Sequence, residues 1–566
     1  MIAKFATGFA LVAAAIVASG CTSPPGPTTT NSRALVTPLR EPSSTAGATT
    51  AAVANDKVVH ELVLRGGNVY DGTGKPPFIG DIAIDGDTIA SVGPFALGKT
   101  IVDLHGLAVA PGFINMLSHA YESLAFDGEG QSDLRQGVTL EVFGETSPHP
   151  FGQKMQALAD QGVSLNIAGL VASSQARAQS MSLRPGAHPT ALEVQRMRAV
   201  VAKAMDEGAL GLTSALIYTP DNAFTTDELT ALAAEAAAHD GIYAAHIRNE
   251  GDKLIEAIDE MIAIAKSAHV PVEIYHFKQA GRANWGKLDE AIAHVEAAQQ
   301  AGVAIGADMY VYEAASTGLD AAMPPWVRDG GNAAWLKRLR DPAARARCRA
   351  EMESTTTDWD NFFAGAGPDG MLLTGFHSKA LQPLIGKTLA EVAKARGKSA
   401  AETAMDLVVE DGSRAQVIYF LMNDANVRRE IGLPWMTFGS DSDTRTVAGA
   451  HGSVHPRAYG NVAKLLGHYV RDEHAAPLAG VIHRLSGLAA ERLHLERRGQ
   501  LAAGYFADIV VFDPAKVIDR ATYVKPHAYS EGVREVWVNG VSVLHEGEPT
   551  GATPGRFIHR RAPAPK

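Results

Sequence analysis

Apolar residues along this chain follow two alternating rhythms. Short runs rich in β-branched and small apolar residues are separated by longer stretches in which apolar positions return every three or four residues. The short runs fall at 108–116, 139–143, 164–169, 210–213, 241–245, 272–275, 303–308 and 436–439, and the helical stretches between them include 190–207, 226–239 and 287–300. Eight strands alternating with helices predict an α/β fold, a closed (β/α)₈ TIM-like barrel whose site lies at the C-terminal ends of the strands. The gap between the last two strands, 310–435, is too long for a bare loop. It carries helical patterns at 333–353 and 387–396, which predict an inserted subdomain over about 318–430.

The two ends of the chain change rhythm. Glu61-Leu-Val-Leu-Arg alternates, the segment from Asp81 to Val92 reads as a hairpin around Asp85-Gly86, and the segment from Glu535 to Leu544 reads as a hairpin around Asn539-Gly540. A further strand is expected over 506–512. Residues 58–110 and 500–550 are therefore expected to form one small composite β-sandwich domain beside a barrel spanning 111–499.

The first residues do not belong to the fold. Lys4, an apolar run over 5–17 and then Ala18-Ser19-Gly20-Cys21 have the form of a secretion signal. The apolar run is short for a membrane span, which needs about 20 residues. Small residues directly before a cysteine resemble a bacterial lipoprotein cleavage site, which would make Cys21 the lipidated N-terminus. An ordinary signal cleaved elsewhere, or an uncleaved anchor, are the other readings. Residues 22–57, rich in Ser, Thr, Pro, Gly and Ala, read as a flexible tether. The lipoprotein reading implies a periplasmic protein anchored to a membrane through Cys21.

Composition removes some chemistries. A net charge of −11 gives no reason to expect a nucleic-acid partner. Only two cysteines occur, Cys21 and Cys348, so neither a disulfide framework nor a thiolate-rich metal site can form. Any metal must be held by His, Asp or Glu.

The segment from Gly241 to Lys278 concentrates that chemistry. Its two strands end at His246 and His276, and Leu254, Ile258, Met261, Ile262 and Ala265 form the apolar stripe of the helix between them. In such a β-α-β unit the strands lie parallel and adjacent, and the two imidazoles can converge on a divalent metal. Two unrelated histidines at loop starts are the alternative. Other strand ends carry Asn115 to His119, Gly144-Glu145-Thr146-Ser147, Asp308-Met-Tyr310 and Ser440-Asp441. Two imidazoles, a carboxylate and a water would complete a four-coordinate zinc site. Asp441 could then act as base toward that water and pass the proton to a leaving nitrogen.

The ordered runs Ala110-Pro-Gly-Phe-Ile, Gln136-Gly-Val-Thr, Gly208-Ala-Leu-Gly-Leu-Thr-Ser-Ala-Leu-Ile-Tyr, Ala245-His-Ile-Arg-Asn-Glu-Gly-Asp, His276-Phe-Lys-Gln-Ala-Gly-Arg-Ala-Asn-Trp-Gly-Lys, Ala315-Ser-Thr-Gly-Leu-Asp, Gly439-Ser-Asp441, His455-Pro-Arg457 and Gly504-Tyr-Phe-Ala-Asp resemble the D-aminoacylase (N-acyl-D-amino-acid deacylase) branch of the amidohydrolase superfamily. The resemblance implies the barrel, the composite β domain, a small N-acyl amino acid as substrate and a divalent metal, usually zinc. It implies that His246 and His276 are metal ligands and Asp441 the catalytic aspartate. It also implies that Lys278, Tyr310 and Ser316 hold the substrate's carboxylate and acyl region, with Arg457 a further candidate for the carboxylate.

Three departures from that pattern matter. The superfamily's first strand normally ends in His-x-His, whereas here it ends in Leu117-Ser118-His119. One imidazole is missing, which favours a single metal and leaves His119 to touch substrate or only to pack. The second strand has no cysteine, and Glu145, one residue off the expected register, is the hard ligand on offer; its alternative is a pair with an arginine. Strand four offers no lysine for a bridging carboxylate. Two other functions keep much of this pattern: a metal-dependent dipeptidase or cyclic-amide or carbamate hydrolase, and a non-catalytic barrel lipoprotein serving as a binding module.

Overall fold

Strand and helix alternate as their apolar rhythms require. In the computed structural model, which describes residues 58–560 apart from 182–186, 356–357, 449 and 451, six parallel strands run in the order Met436–Phe438, Ile305–Met309, Val272–Ile274, Ile242–His246, Gly211–Ala215 and Val171–Ala172. A second parallel sheet holds Phe113–Ser118, Val138–Phe143 and Asn166–Gly169. The chain passes between the sheets at Leu170. At their other margins a bridge joins Ser118 to Ser442, and Asp441 N donates to Leu117 O at 2.9 Å. All these strands point the same way, so their C-terminal ends gather at one end of the fold.

The expected strand over 108–116 proves to be two. Ala108–Pro111 and Phe113–Ser118 separate at Gly112, where any Cβ would collide with the Thr139 side chain. The first half leaves the parallel strands. It pairs parallel with Val59–Val69 and antiparallel with Ile509–Phe512, and so stitches the two chain ends together. Those ends are hydrogen-bonded into one nine-stranded sheet. Both hairpins occur where read, Phe78–Asp85 with Thr88–Gly93 and Val533–Val538 with Val541–His545. Asn539 and Gly540, with φ of 48° and 79°, supply the left-handed pair that a two-residue hairpin turn needs.

The helices begin where side chains can satisfy their free N–H groups. Thr190 and Thr225 form capping boxes with Glu193 and Glu228, starting Ala191–Asp206 and Thr226–Ala238. Helix Leu254–Ala268 buries Leu254, Ile258, Met261 and Ala265, each large side chain contributing about 1.5–3 kcal/mol. The long gap holds helices Asn332–Arg338 and Pro342–Met352, split at Asp341-Pro342, where Asp341 caps the second. It also holds an antiparallel sheet, Ala315–Gly318, Gln416–Tyr419 and Met371–Gly375, that the pattern did not reveal. Cys348 is buried in Pro342–Met352, a packing residue. Cys21 and the tether lie outside the described residues, and no helix among those described is long and apolar enough to cross a membrane.

Candidate metal centre and active site

Three residues at the strand ends carry backbone conformations that side chains disfavour. Glu145, His276 and Asp441 have φ of 58°, 36° and 47°. Each is held by its own N–H, which donates to Thr213 Oγ1 (3.0 Å), Asp308 Oδ1 (2.9 Å) and Leu117 O (2.9 Å) respectively. Neighbouring strands thus over-determine the strain, and the three side chains turn inward together.

Glu145 Oε1 lies 3.2 Å from His246 Nδ1 and 3.0 Å from His276 Nε2. The two rings stand edge to face, 4.5 Å between centroids. Donors bound tetrahedrally at about 2.0–2.2 Å sit about 3.4 Å apart, so these three groups have the spacing and chemistry of a zinc-type donor set, and their ligand atoms all lie within 4.8 Å of one another. The local field agrees. Burial and Lys278 lower the His276 pKa, but Glu250, Asp441 and Glu145 overcome them and push it up to about 10. Burial raises the Glu145 pKa, yet hydrogen bonds from His246 and His276 hold it well below the usual carboxylate range. The spot between these groups favours positive charge, which a divalent ion would supply. The residues present fit the metal that the sequence implied.

The damaged first-strand motif assembles further than its sequence suggests. Leu117 removes one imidazole, but His119 Nε2 lies 3.0 Å from Asp441 Oδ1 and 3.6 Å from Glu145 Oε2. His119, Glu145 and Asp441 form a second trio of donors that shares Glu145 with the first. His119 therefore lies within a few ångströms of the metal-type donors. Arg457 Nη1 lies 2.7 Å from Asp441 Oδ2, an ion pair whose angle is not that of a hydrogen bond. Burial raises the Asp441 pKa, but Arg457, His276 and His119 outweigh it and keep the carboxyl ionised.

Glu250, to which the sequence reading gave no role, supports the centre from behind. Its Oε1 lies 3.0 Å from His276 Nδ1 and 2.5 Å from Lys278 Nζ. Lys278 Nζ is also 2.7 Å from His276 Nδ1. An ammonium has only donors, so the Lys278 and Glu250 contacts to Nδ1 demand opposite tautomers. For Nε2 to present a lone pair toward the trio, Nδ1 must carry the proton and donate it to Glu250. His246 and Glu250 are four residues apart, but no helix joins them, and that spacing alone did not mark the pair.

The centre opens into a cavity of about 410 Å³ whose walls include Tyr218, Tyr310, Ser316, Arg328, Arg414 and Arg457. All the residues expected to hold substrate reach it. Lys278 and Arg457 are each already paired with a carboxylate, Glu250 and Asp441. Tyr310 packs beneath Arg457, 4.4 Å from guanidinium to ring, and its buried Oη has no hydrogen-bond partner among the described residues. Ser316 sits on strand Ala315–Gly318, and its carbonyl accepts from Arg457 Nη2 at 3.4 Å. Tyr218, just past strand Gly211–Ala215, Arg328, at the end of the short helix Pro325–Arg328, and Arg414, just before strand Gln416–Tyr419, were given no role from the sequence because its pattern does not show that these three segments meet at one cavity.

The amidohydrolase family matches residues 100–544. The chain is 33% identical over 539 residues to the D-aminoacylase of Alcaligenes xylosoxydans xylosoxydans, a match covering 90% of this chain and 99% of that protein. It is 31% identical over 530 residues to the N-acyl-D-glutamate deacylase of the same organism, covering 89% and 97%. Its fold matches the crystal structure of the N-acyl-D-glutamate deacylase from Bordetella bronchiseptica, complexed with zinc and a phosphonate that mimics the reaction's tetrahedral intermediate. That match has a TM-score of 0.74 at 27% identity, over 89% of this chain and 100% of that one.

Proposed function

The chain belongs to the D-aminoacylase branch of the amidohydrolase family, a group of amide-bond hydrolases, and we propose that it hydrolyses N-acyl-D-amino acids to a carboxylate and a free D-amino acid, using one divalent metal, zinc. The observation that carries this reading is the convergence of Glu145, His246 and His276 on one point with Asp441 beside it. A non-catalytic binding module would have no need to strain three backbones to bring those groups together.

Glu145, His246 and His276 would hold the ion, which when bound supplies Lewis acidity to the amide carbonyl and acidifies water. The remaining steps belong to the protein's own groups. Asp441, kept ionised by Arg457, takes a proton from the attacking water. As the C–N bond breaks, it returns that proton to the leaving nitrogen. Tyr310, Ser316 and Lys278 orient the substrate's carboxylate and acyl group, and Arg457 closes that side of the cavity. Arg457 also places a positive charge beside Asp441, which disfavours a second cation in the trio with His119. D-stereochemistry is taken from the two Alcaligenes relatives, whose names both specify it.

We read the nine parallel segments, with Asn166–Gly169 and Val171–Ala172 counted as one strand interrupted at Leu170, as the eight strands of a closed (β/α)₈ barrel, and the nine-stranded sheet as the composite domain of both chain ends. The Ser118–Ser442 bridge supports closure. The Ala-Ser-Gly-Cys21 run supports lipid anchoring on the periplasmic side of a membrane. The test of function is metal analysis of the purified protein together with a panel of N-acetyl-D- and N-acetyl-L-amino acids and dipeptides. One equivalent of metal with D-selective deacylation is expected. A metal-free protein that cleaves no amide would overturn the proposal, and dipeptide cleavage alone would favour a dipeptidase.

A further inference from the structure

The cavity wall contributed by the inserted segment carries an unusual balance of charge. Asp320 is buried, and both of its oxygens are engaged: Oδ1 accepts from Arg414 Nε at 2.7 Å, and Oδ2 accepts from Arg328 Nη1. One carboxylate therefore serves two guanidinium groups. The other lysine and arginine side chains lining the cavity are matched one to one, Lys278 with Glu250 and Arg457 with Asp441. The Asp320 cluster alone among these carries a unit of positive charge in excess. It is also held rigidly. Arg414 Nη2 donates to Thr317 Oγ1 at 3.1 Å, Tyr218 Oη donates to the same oxygen at 2.8 Å, and the Arg414 guanidinium lies 5.4 Å from the Tyr218 ring. Gly318 makes room for it, since any Cβ there would meet Asp320 and Arg414 side-chain atoms. Tyr218 in turn stands edge to face with His246, 5.5 Å between centroids. A single ring thus separates the metal-type donors from the guanidinium pair, within one cavity.

We propose that Arg414 and Arg328 form a subsite for a second carboxylate on the substrate, so that the enzyme prefers N-acyl amino acids bearing an additional acidic group. That proposal rests on the deacylase reading above and names its substrate class. The second carboxylate can come from an acidic amino-acid side chain or from a dicarboxylic acyl group. A fixed guanidinium pair with excess charge recognises either through charge-assisted hydrogen bonds, whereas a neutral side chain leaves that charge unmatched.

The test compares kcat/KM of the metal-loaded wild type, Arg414→Gln and Arg328→Gln on N-acetyl-D-glutamate, N-acetyl-D-leucine and N-succinyl-D-alanine. The ratio between substrates is read within each preparation, so loss of folded protein cancels. Loss of one charged hydrogen bond predicts a fall of about 10- to 100-fold in the acidic-to-neutral ratio for Arg414→Gln, and Arg328→Gln, which keeps the Arg414–Asp320 pair, should shift it the same way. A fall confined to the glutamate ratio assigns the subsite to the side chain, and one confined to the succinyl ratio assigns it to the acyl group. Equal losses on all three substrates would assign Arg414 to the α-carboxylate and overturn the proposal, as would unchanged ratios in both variants. If the wild type hydrolyses none of the three, nor any other N-acyl amino acid, the deacylase reading itself fails and this inference falls with it.

Discussion

Replacing Glu250 with Gln should damage metal binding and folding through two separable routes. The carboxylate stands behind His276, with Oε1 3.0 Å from Nδ1, and it is the ionic partner of Lys278 at 2.5 Å. Both side chains of the Glu250–Lys278 pair are almost wholly buried, at 2% and 4% exposure, so solvent does little to screen the loss. An amide oxygen can still accept from Nδ1–H but without charge, so metal affinity should fall toward the lower end of the 10–100-fold range for outer-shell changes, about tenfold. Lys278 would then be a buried cation without an anion, a loss of about 3–5 kcal/mol in stability. Adding Lys278→Met removes the stranded charge. The double variant should recover most of the stability while keeping the weakened metal affinity. Chelator competition monitored by metal content gives the first quantity, and the thermal midpoint of the metal-free proteins gives the second. If Glu250→Gln holds metal as tightly as the wild type, the tautomer argument for His276 is wrong. If stability and metal affinity recover together in the double variant, the two routes are not distinct.

Glu145→Gln should strip the bound metal, since it removes the charged carboxylate that converges with His246 and His276 on one point; full occupancy by elemental analysis would remove Glu145 from the donor set. Asp441→Asn should keep that metal while lowering kcat by about 10²–10⁴-fold, the range for losing a general base, and a variant within a few-fold of wild type would deny Asp441 its role. Burial pushes the Glu430 carboxyl up to about 8, with Gln279 and Lys278 opposing. A carboxyl raised in the folded state binds its proton more tightly there than in the unfolded chain, so its stability penalty grows as pH climbs from the ordinary carboxylate value and levels off near 8. Glu430→Gln should therefore raise the thermal midpoint more at pH 8 than at pH 5, and an equal shift at both would contradict that sign. Cys21→Ala should release the mature protein from membranes into the soluble fraction, and unchanged membrane association would count against a lipid anchor there.

The sequence by itself determined the parts of this protein that depend on local order. Helices were legible because apolar residues return every three or four positions, as over 190–207, where the structure starts the helix at Ala191. The Asp85-Gly86 and Asn539-Gly540 hairpins were legible because two residues decide a tight turn. His246 and His276 were legible as a pair because parallel neighbours joined by one helix must bring their ends together. Only the tertiary structure decided what depends on groups distant in the chain. The break at Gly112 follows from the Thr139 side chain. His119 joins the donors because Asp441 is carried to it on the last parallel strand. Glu250 acquires a role only when His276 and Lys278 enclose it, and Arg414 only when an inserted strand pair lays it over Tyr218. The physical reason is common to all four. Periodicity and turn chemistry are properties of neighbouring residues, whereas the charge balance of a buried cavity is a sum over side chains that only folding brings within a few ångströms of one another.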